Sequence, residues 1–332
     1  MSILTGDIIE LNRDMEPYII QGATTRTWLF GDKFKPLQFV HFSDIHAVLD
    51  LWNRIVQYTN HYRDYIDFAI HTGDYCGNNQ ALYADFYNYG IKCERPIYNC
   101  VGNHDTYVTR QWTKSDKGSV HKLLFASMDD DSNNVNFLEC DFSMTYYKDF
   151  PDSNVRLIVI DLYYDIEIQC EWLKDILSDA KEKELCVITA MHEPLNDVKD
   201  TYGVTFYTKN QYSPIEKEKS EHKAFENIIA DFISCGGCHI CNLVGHKHYD
   251  LFGLTESGIL HTAVPSATNW NGYCDGRRIK GTRTYDCFNV VSIDANLGLL
   301  KIARIGNNID HYFRSQHSLC YDYINKKLFD EN

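Results

Sequence analysis

Several short apolar runs in this chain end in clusters of polar, ligand-type side chains, and this pattern constrains the fold more than any other feature. The runs are PLQFVHFSD (36–44), DFAIHTGD (67–74), RPIYNCVGNHD (95–105), VRLIVIDL (155–162), LCVITAMHEP (185–194) and HICNLVGHKH (239–248). Their length and turn-forming flanks suit buried strands. Three later runs, GILHTAVPS, CFNVVSID and LLKIARIG, continue the pattern towards the C-terminus. Segments of helical spacing lie between them. Residues 50–65 put Leu51, Ile55, Tyr58 and Tyr62 on one face. Residues 167–183 predict a helix with Ile168, Trp172 and Ile176 inward, and 221–234 predict one that stops at Gly236-Gly237. Strand–helix alternation implies an α/β layered fold with the polar clusters at the carboxyl ends of strands, where such sheets bind ligands.

The less regular stretches 106–150, 196–220 and 268–286 are polar and aromatic, and read as loops or a small cap over the strand ends. There is no internal repeat, low-complexity tract or interdomain linker. Residues 1–35 are expected to be an N-terminal extension packed on the core, 36–310 the main domain with cap-like insertions, and 311–332 a C-terminal tail.

The 332 residues are 44% hydrophobic and 23% charged, as in ordinary soluble globular chains. The balance of 32 basic against 46 acidic residues gives a net charge of −14. An acidic surface repels polyanions and argues against a grip on duplex nucleic acid or anionic lipid. A small phosphorylated substrate is still accommodated, because bound cations reverse the local sign. No stretch reaches the roughly 18 apolar residues of a membrane span, and the start, MSILTGDIIELNRDMEP, lacks the pattern of a signal peptide. The 12 cysteines, with Cys100, Cys186 and Cys287 inside strand-like runs, are expected to be reduced thiols in the cytoplasm. Oligomeric state is not legible.

The strand ends, taken in order, present Asp44 and His46; Asp74; Asn103, His104 and Asp105; His192; and His246 and His248. Neutral imidazole with carboxylate or amide oxygen is the ligand set of borderline divalent metals. Asp44 and His46 are two apart in an extended stretch, so both can face one side of it, and His246 and His248 share that spacing. The glycines before Asp74, Asn103 and His246 allow close backbone approach. A plain turn would use the Gly, Asn and Asp of VGNHD (101–105), but it has no need of the histidine.

D-x-H, GD, GNHD, a lone His and GHxH, in this order, resemble the signature of the calcineurin-like metallophosphoesterases. The resemblance covers roughly residues 36–265 and extends through the last strands to about 305. It implies a four-layer α/β–β/α sandwich and a dinuclear site. By resemblance, Asp44, His46 and His248 hold one metal, Asn103, His192 and His246 the other, and Asp74 bridges both. His104 then supports the leaving group and Asp105 orients His104. The implied metals are two divalent ions (Mn²⁺, Fe, Zn²⁺, Ni²⁺ or Mg²⁺), with manganese the first to try. Two cations about 3.5–4 Å apart neutralise phosphoryl oxygens, lower the pKa of a bridging water and clamp an in-line displacement. A histidine with an ordinary pKa of about 6.5 suits protonation of the departing alkoxide.

The expected activity is hydrolysis of small phosphomonoesters or phosphodiesters, nucleotides among them. The rivals are a metal-dependent nuclease, disfavoured by the charge, and a non-catalytic interaction protein on the same fold, disfavoured by the complete motif. Arg277, Arg278 and Arg283 in NGYCDGRRIKGTR are candidate substrate contacts, because guanidinium pairs bidentately with phosphate. A solvated charge run is the plainer alternative for them. Tyr202, Phe206, Tyr207 and Trp270 suit either stacking on a base or packing of a cap. His41, His71 and His261 read as packed core, and Asp50, Asp161 and Asp165 as caps or turns. Cys235, Cys238 and Cys241 read as thiols rather than a separate metal site, since no fourth soft ligand stands at zinc spacing.

Overall fold

The computed structural model describes residues 7–24, 33–75, 80–106, 135–139, 143–195, 198–200, 205–206, 216–248, 251–268, 278–307 and 318–329. In chain order the first elements are α1 (Ile8–Leu11), α2 (Glu16–Thr24), β1 (Leu37–Phe42), α3 (Leu49–His61), β2 (Phe68–His71), α4 (Gln80–Tyr89) and β3 (Ile97–Asn99). Then come β4 (Val135–Phe137), β5 (Tyr146–Phe150), β6 (Val155–Val159), α5 (Ile166–Glu182), β7 (Cys186–Ala190), β8 (Val198–Asp200), β9 (Thr205–Phe206) and α6 (Glu216–Ser234). The chain closes with β10 (His239–Val244), β11 (Leu251–Thr255), β12 (Leu260–Ala263), β13 (Cys287–Asp294), β14 (Leu299–Gly306), β15 (Ser318–Asp322) and β16 (Lys327–Phe329).

These strands form two mixed sheets. One runs β16-β15-β14-β13-β1-β2-β3 and the other β4-β5-β6-β7-β10-β12-β11-β8-β9. Within the first, β1, β2 and β3 are parallel; within the second, β6, β7, β10 and β12 are parallel. Alternation along the strands decides what lies on each face. In β6 and β7, Leu157, Val159 and Ile188 join the core shared with the first sheet, whereas Ile158 and Val187 join the core beneath α5 and α6. Both faces are therefore apolar, as expected for parallel strands covered on both sides. Burying one such side chain fully stabilises by about 1.5–3 kcal/mol. Truncating the fully buried Leu157 to Ala should cost about 2–5 kcal/mol. On the other side, α2 packs on β1, β13 and β14, and α1 packs on α3. The result is helices, sheet, sheet, helices: the expected four-layer α/β sandwich.

The local reading needs correction in three places. In α3 the face Leu51, Ile55, Tyr58, Tyr62 is buried as anticipated, but in α5 the inward stripe is Gln169, Leu173, Leu177 and Ala180, and Ile168 is 45% exposed. Gln169 is the cause: a polar residue sits inside the stripe, donating Nε2 to Asp161 O at 2.8 Å and accepting from Thr145 Oγ1. The irregular stretches carry strands, since β4, β5, β8 and β9 lie within 106–150 and 196–220. Residues 318–329, set apart as a tail, supply β15 and β16 at one edge of the first sheet. In the N-terminal segment, Ile8, Met15 and Ile19 are buried in the main core, and Asn12 Oδ1 accepts from Gly306 N at 2.9 Å.

Candidate metal centre

The topology brings the carboxyl ends of β1, β2 and β3 from one sheet beside those of β7 and β10 from the other. The loops that follow carry Asp44 and His46, Asp74, Asn103 to Asp105, His192, and His246 and His248 in turn. The strands stop short of these residues: β1 ends at Phe42 and β10 at Val244. Strand alternation is therefore not what aims the side chains, contrary to the extended reading of the D-x-H and HxH pairs. Asp44 (φ 52°), His46 (45°), Asp74 (62°), His246 (64°) and His248 (60°) all have left-handed backbone. Non-glycine residues rarely adopt it, and such strain gathers at functional sites. Each loop curls back over its strand end and turns its polar side chains inward.

Two glycines let these loops touch. At Gly102 a Cβ would overlap the Asp74 carboxylate and backbone nitrogen; at Gly245 it would overlap the Ser43 side chain. Any larger residue would push the loops apart.

Two clusters result. In the first, His46 Nε2 and His248 Nε2 are 3.1 Å apart, and Asp44 Oδ1 is 3.1 Å from His248 Nε2 and 3.8 Å from His46 Nε2. One ligand atom from each of Asp44, His46, Asp74 and His248 lies within 4.8 Å of all the others. In the second, Asn103 Oδ1 is 3.0 Å from both His192 Nε2 and His246 Nδ1, which are 3.2 Å from each other. Asp74 Oδ2 is 3.4 Å from His192 Nε2, so this carboxylate borders both clusters.

Imidazole nitrogens facing each other at such distances, beside carboxylate and amide oxygens, leave more acceptors than donors, and a cation is what satisfies them. The electrostatics agree. Burial pushes Asp44 up, but the hydrogen bond and charge of His248 and the charges of His192 and His46 hold it well below the carboxylate range. Burial likewise pushes Asp74 up, and His192 outweighs it by charge and hydrogen bond. Burial lowers His46 and His246 to about 4. For His192, burial is overcome by Asp74, then Asp44 and the Thr72 carbonyl, which raise it to about 10. The carboxylates thus favour positive charge where the oxygens converge, which a divalent ion would supply. His192 Nδ1 donates to Thr72 O at 2.6 Å, which leaves Nε2 to face the cluster. The N/O donor set and these orientations fit a pair of divalent ions.

The VGNHD stretch divides its work among three residues. Asn103 supplies its amide oxygen to the second cluster. His104 donates its backbone N–H to Asp74 Oδ1 at 2.9 Å, while its ring stands edge-on to His46 with centroids 5.4 Å apart. Asp105 is not the orienter of the His104 ring. Its carboxylate accepts from Asp74 N (2.8 Å), Gly102 N (2.9 Å), Tyr75 N (3.0 Å) and the Tyr83 hydroxyl, and is occupied in clamping the β2 and β3 loops together.

Other expected contacts resolve differently. Arg283 Nη1 donates to Asp14 Oδ2 at 2.6 Å, tying its loop to the N-terminal segment. Arg277 and the side chains of Tyr202, Phe206, Tyr207 and Trp270 lie outside the described residues. Arg278 is buried. Asp165 caps α5, accepting from Glu167 N and Ile168 N, and Asp161 accepts from Tyr163 N at 3.1 Å. His41, His71 and His261 are buried core residues. Cys235, Cys238 and Cys241 are free thiols. Among the described residues, no metal-type cluster includes Cys235, Cys238 or Cys241. One contributor escaped the sequence reading. Glu193 Oε2 is 3.9 Å from His246 Nε2, and Glu193 Oε1 accepts from Tyr163 Oη at 2.6 Å. Its one sequence signal was an acidic side chain directly after His192.

Fold and site together define a dinuclear-type metallohydrolase on a four-layer sandwich. The profile of the calcineurin-like phosphoesterases matches residues 37–248, and the chain belongs to that family, as a metal-dependent phosphoric ester hydrolase. Among solved structures, a dimetal phosphatase from Danio rerio is similar at 13% identity and a TM-score of 0.53, covering 81% of this chain and 96% of that one. The GAP50 anchor of the Plasmodium inner membrane complex is similar at 12% identity and a TM-score of 0.45, covering 82% and 84%. At 13% identity the likeness to the Danio rerio phosphatase concerns the fold alone. No curated protein sequence matches the chain. No helix among the described residues is long and apolar enough to cross a membrane.

Proposed function

We propose that the chain hydrolyses small phosphomonoesters or phosphodiesters, nucleotide-sized or smaller, at a centre built from Asp44, His46, His248, Asn103, His192, His246 and Asp74. The observation that carries this reading is the meeting of two N/O clusters at one shared carboxylate, Asp74. Asp44, His46 and His248 would hold one cation and Asn103, His192 and His246 the other, with the Asp74 carboxylate bordering both clusters. Bound there, the cations supply charge neutralisation of the phosphoryl group and an acidified water nucleophile. The remaining work falls to the chain. Thr72 O and Glu193 turn the His192 and His246 rings so that one nitrogen of each faces the centre. Asp105 holds the two loops in register. His104, on the rim beside His46, gives a proton to the departing oxygen. The net charge of −14 supports small esters over long duplexes. Free thiols at Cys100, Cys186 and Cys287 support a reducing, cytoplasmic setting.

The test uses nitrophenyl mono- and diesters with Mn²⁺, Fe²⁺, Zn²⁺, Ni²⁺ or Mg²⁺, alongside alkyl phosphates. Wild type turns over both groups. His104→Ala keeps its metals and loses about 10²–10⁴-fold on alkyl esters, and less on nitrophenyl esters, whose leaving group needs no proton. An equal loss on both removes His104 from the acid role; no turnover with any metal sinks the enzymatic reading.

A further inference from the structure

The segment that enters β13 contains a buried cation with no hydrogen-bond partner among the described residues. Arg278 is only 6% exposed, and none of Nε, Nη1 and Nη2 has a hydrogen-bond partner among the described residues. A guanidinium carries five N–H donors in a rigid fork, and burying such a charge unpaired is strongly unfavourable. Its neighbours cannot relieve it. Asp286 is taken by Arg54, which donates from Nε at 2.6 Å and Nη2 at 2.7 Å. Asp50 is taken by Lys280 Nζ at 2.9 Å and Tyr285 Oη at 3.1 Å. Arg278 stands near enough to Asp286 for its charge to act on that acid, yet it forms no bond to it. Three cations (Arg54, Arg278 and Lys280) thus meet two carboxylates (Asp50 and Asp286), and the surplus charge is the one that is buried and unpartnered.

The position of this segment says what the charge is for. At one end it is pinned to the first cluster: Ser266 Oγ donates to Asp44 O and Ala267 N to Ser43 O, both at 2.9 Å. At the other it is pinned by Lys280, Tyr285 and Asp286 to Asp50 and Arg54 of α3, the helix that begins three residues after His46. β13 runs antiparallel beside β1 with Asn289 opposite His41, so Asp286, the acid that the charge of Arg278 reaches, stands at the carboxyl end of β1, from which the Asp44–His46 loop departs.

We propose that Arg278 receives a second anionic group, phosphate or carboxylate, of a substrate whose scissile phosphoryl group lies at the metal centre. The inference rests on the phosphoesterase reading above and narrows it: the preferred substrate carries two anionic groups. A planar fork pairs with either oxyanion bidentately.

Two matched pairs test this on the metal-loaded enzyme: adenosine 3′,5′-bisphosphate against adenosine 3′-monophosphate, and O-phosphoserine against O-phosphoethanolamine. Wild type should prefer the doubly anionic member of at least one pair, and which pair tells phosphate from carboxylate. Arg278→Gln should cut kcat/KM for that member by about 10- to 100-fold, mainly through KM, as for a lost hydrogen-bonded charge contact. Its loss on p-nitrophenyl phosphate should be at least tenfold smaller, and Arg278→Lys should fall between. Without ligand, Arg278→Gln should melt no lower than wild type, because the change removes an unpaired buried charge. A wild type without either preference, equal losses within a pair, or a lowered melting temperature with a uniform loss would overturn the proposal. Normal turnover of p-nitrophenyl phosphate in those cases leaves the phosphoesterase reading standing; inactivity on every ester with every metal overturns that reading first.

Discussion

The two clusters of the centre present similar atoms, but they are held by different means. In the Asp44–His46–His248 cluster, every contributor sits on left-handed backbone. Side-chain aim there is built into the turns, at about 1–3 kcal/mol of strain each. In the Asn103–His192–His246 cluster only His246 is so strained. Aim comes instead from outer groups, the Thr72 carbonyl hydrogen-bonded to His192 and the Glu193 carboxylate 3.9 Å from His246. One cluster is fixed by main-chain shape that the surrounding fold imposes. The other leans on outer groups, a main-chain carbonyl at His192 and, at His246, a carboxylate that a single substitution can remove.

The broadest way to test this contrast is through the residue that both clusters share. Asp74→Asn retains a side chain that tolerates left-handed backbone and removes the charge. Elemental analysis should find both metals depleted, and activity should fall by more than the 10²–10⁴-fold ascribed to a general acid. Depletion of one metal alone would make Asp74 a member of a single cluster. A narrower test is Glu193→Gln. Affinity at the His246 cluster should drop about 10- to 100-fold, as for other groups that orient metal-binding histidines. Affinity at the Asp44 cluster should hold, which chelator competition resolves. An equal drop at both would end the contrast.

The smallest effect is the background that both clusters share. Burial pushes His41, His71 and His239 to about 3 and His261 to about 4. These folded values lie below the ordinary 6.5, so between the two values the unfolded chain binds protons that the folded chain refuses. The stability they contribute is full above pH 6.5 and is lost as pH falls towards 3–4. After chelation, the melting temperature should fall by several degrees between pH 7.5 and pH 5, equally for wild type and Glu193→Gln. A melting temperature flat over that range would mean these histidines are protonated in the fold.

Sequence patterns foretold the strands well where burial on both faces made them continuous: β13 and β14 coincide with the runs CFNVVSID and LLKIARIG. The candidate ligands were legible because each follows such a run. What stayed hidden depended on partners far away in sequence. Asp105 was read through its neighbour His104, whereas its bonds go to residues 74, 75 and 83 across the β2 loop. The α5 face was misread because Gln169 is polar and inward, a placement that only its bonds to Asp161 and Thr145 justify. The edge strands SLCYD and KLF were missed because they are short and partly polar, so periodicity had little to act on.

The origin of the loops has a further consequence. Asp44, His46, Asp74 and Asn103 descend from one sheet, and His192, His246 and His248 from the other. Ions held between them would act as rivets across the sandwich, their binding free energy added to that of docking the sheets. Neither half of the chain can carry the centre alone, so a nascent chain gains its metals only after its last ligand loop has been synthesised and packed. The metal content of a preparation is thus also a count of molecules whose two halves have met.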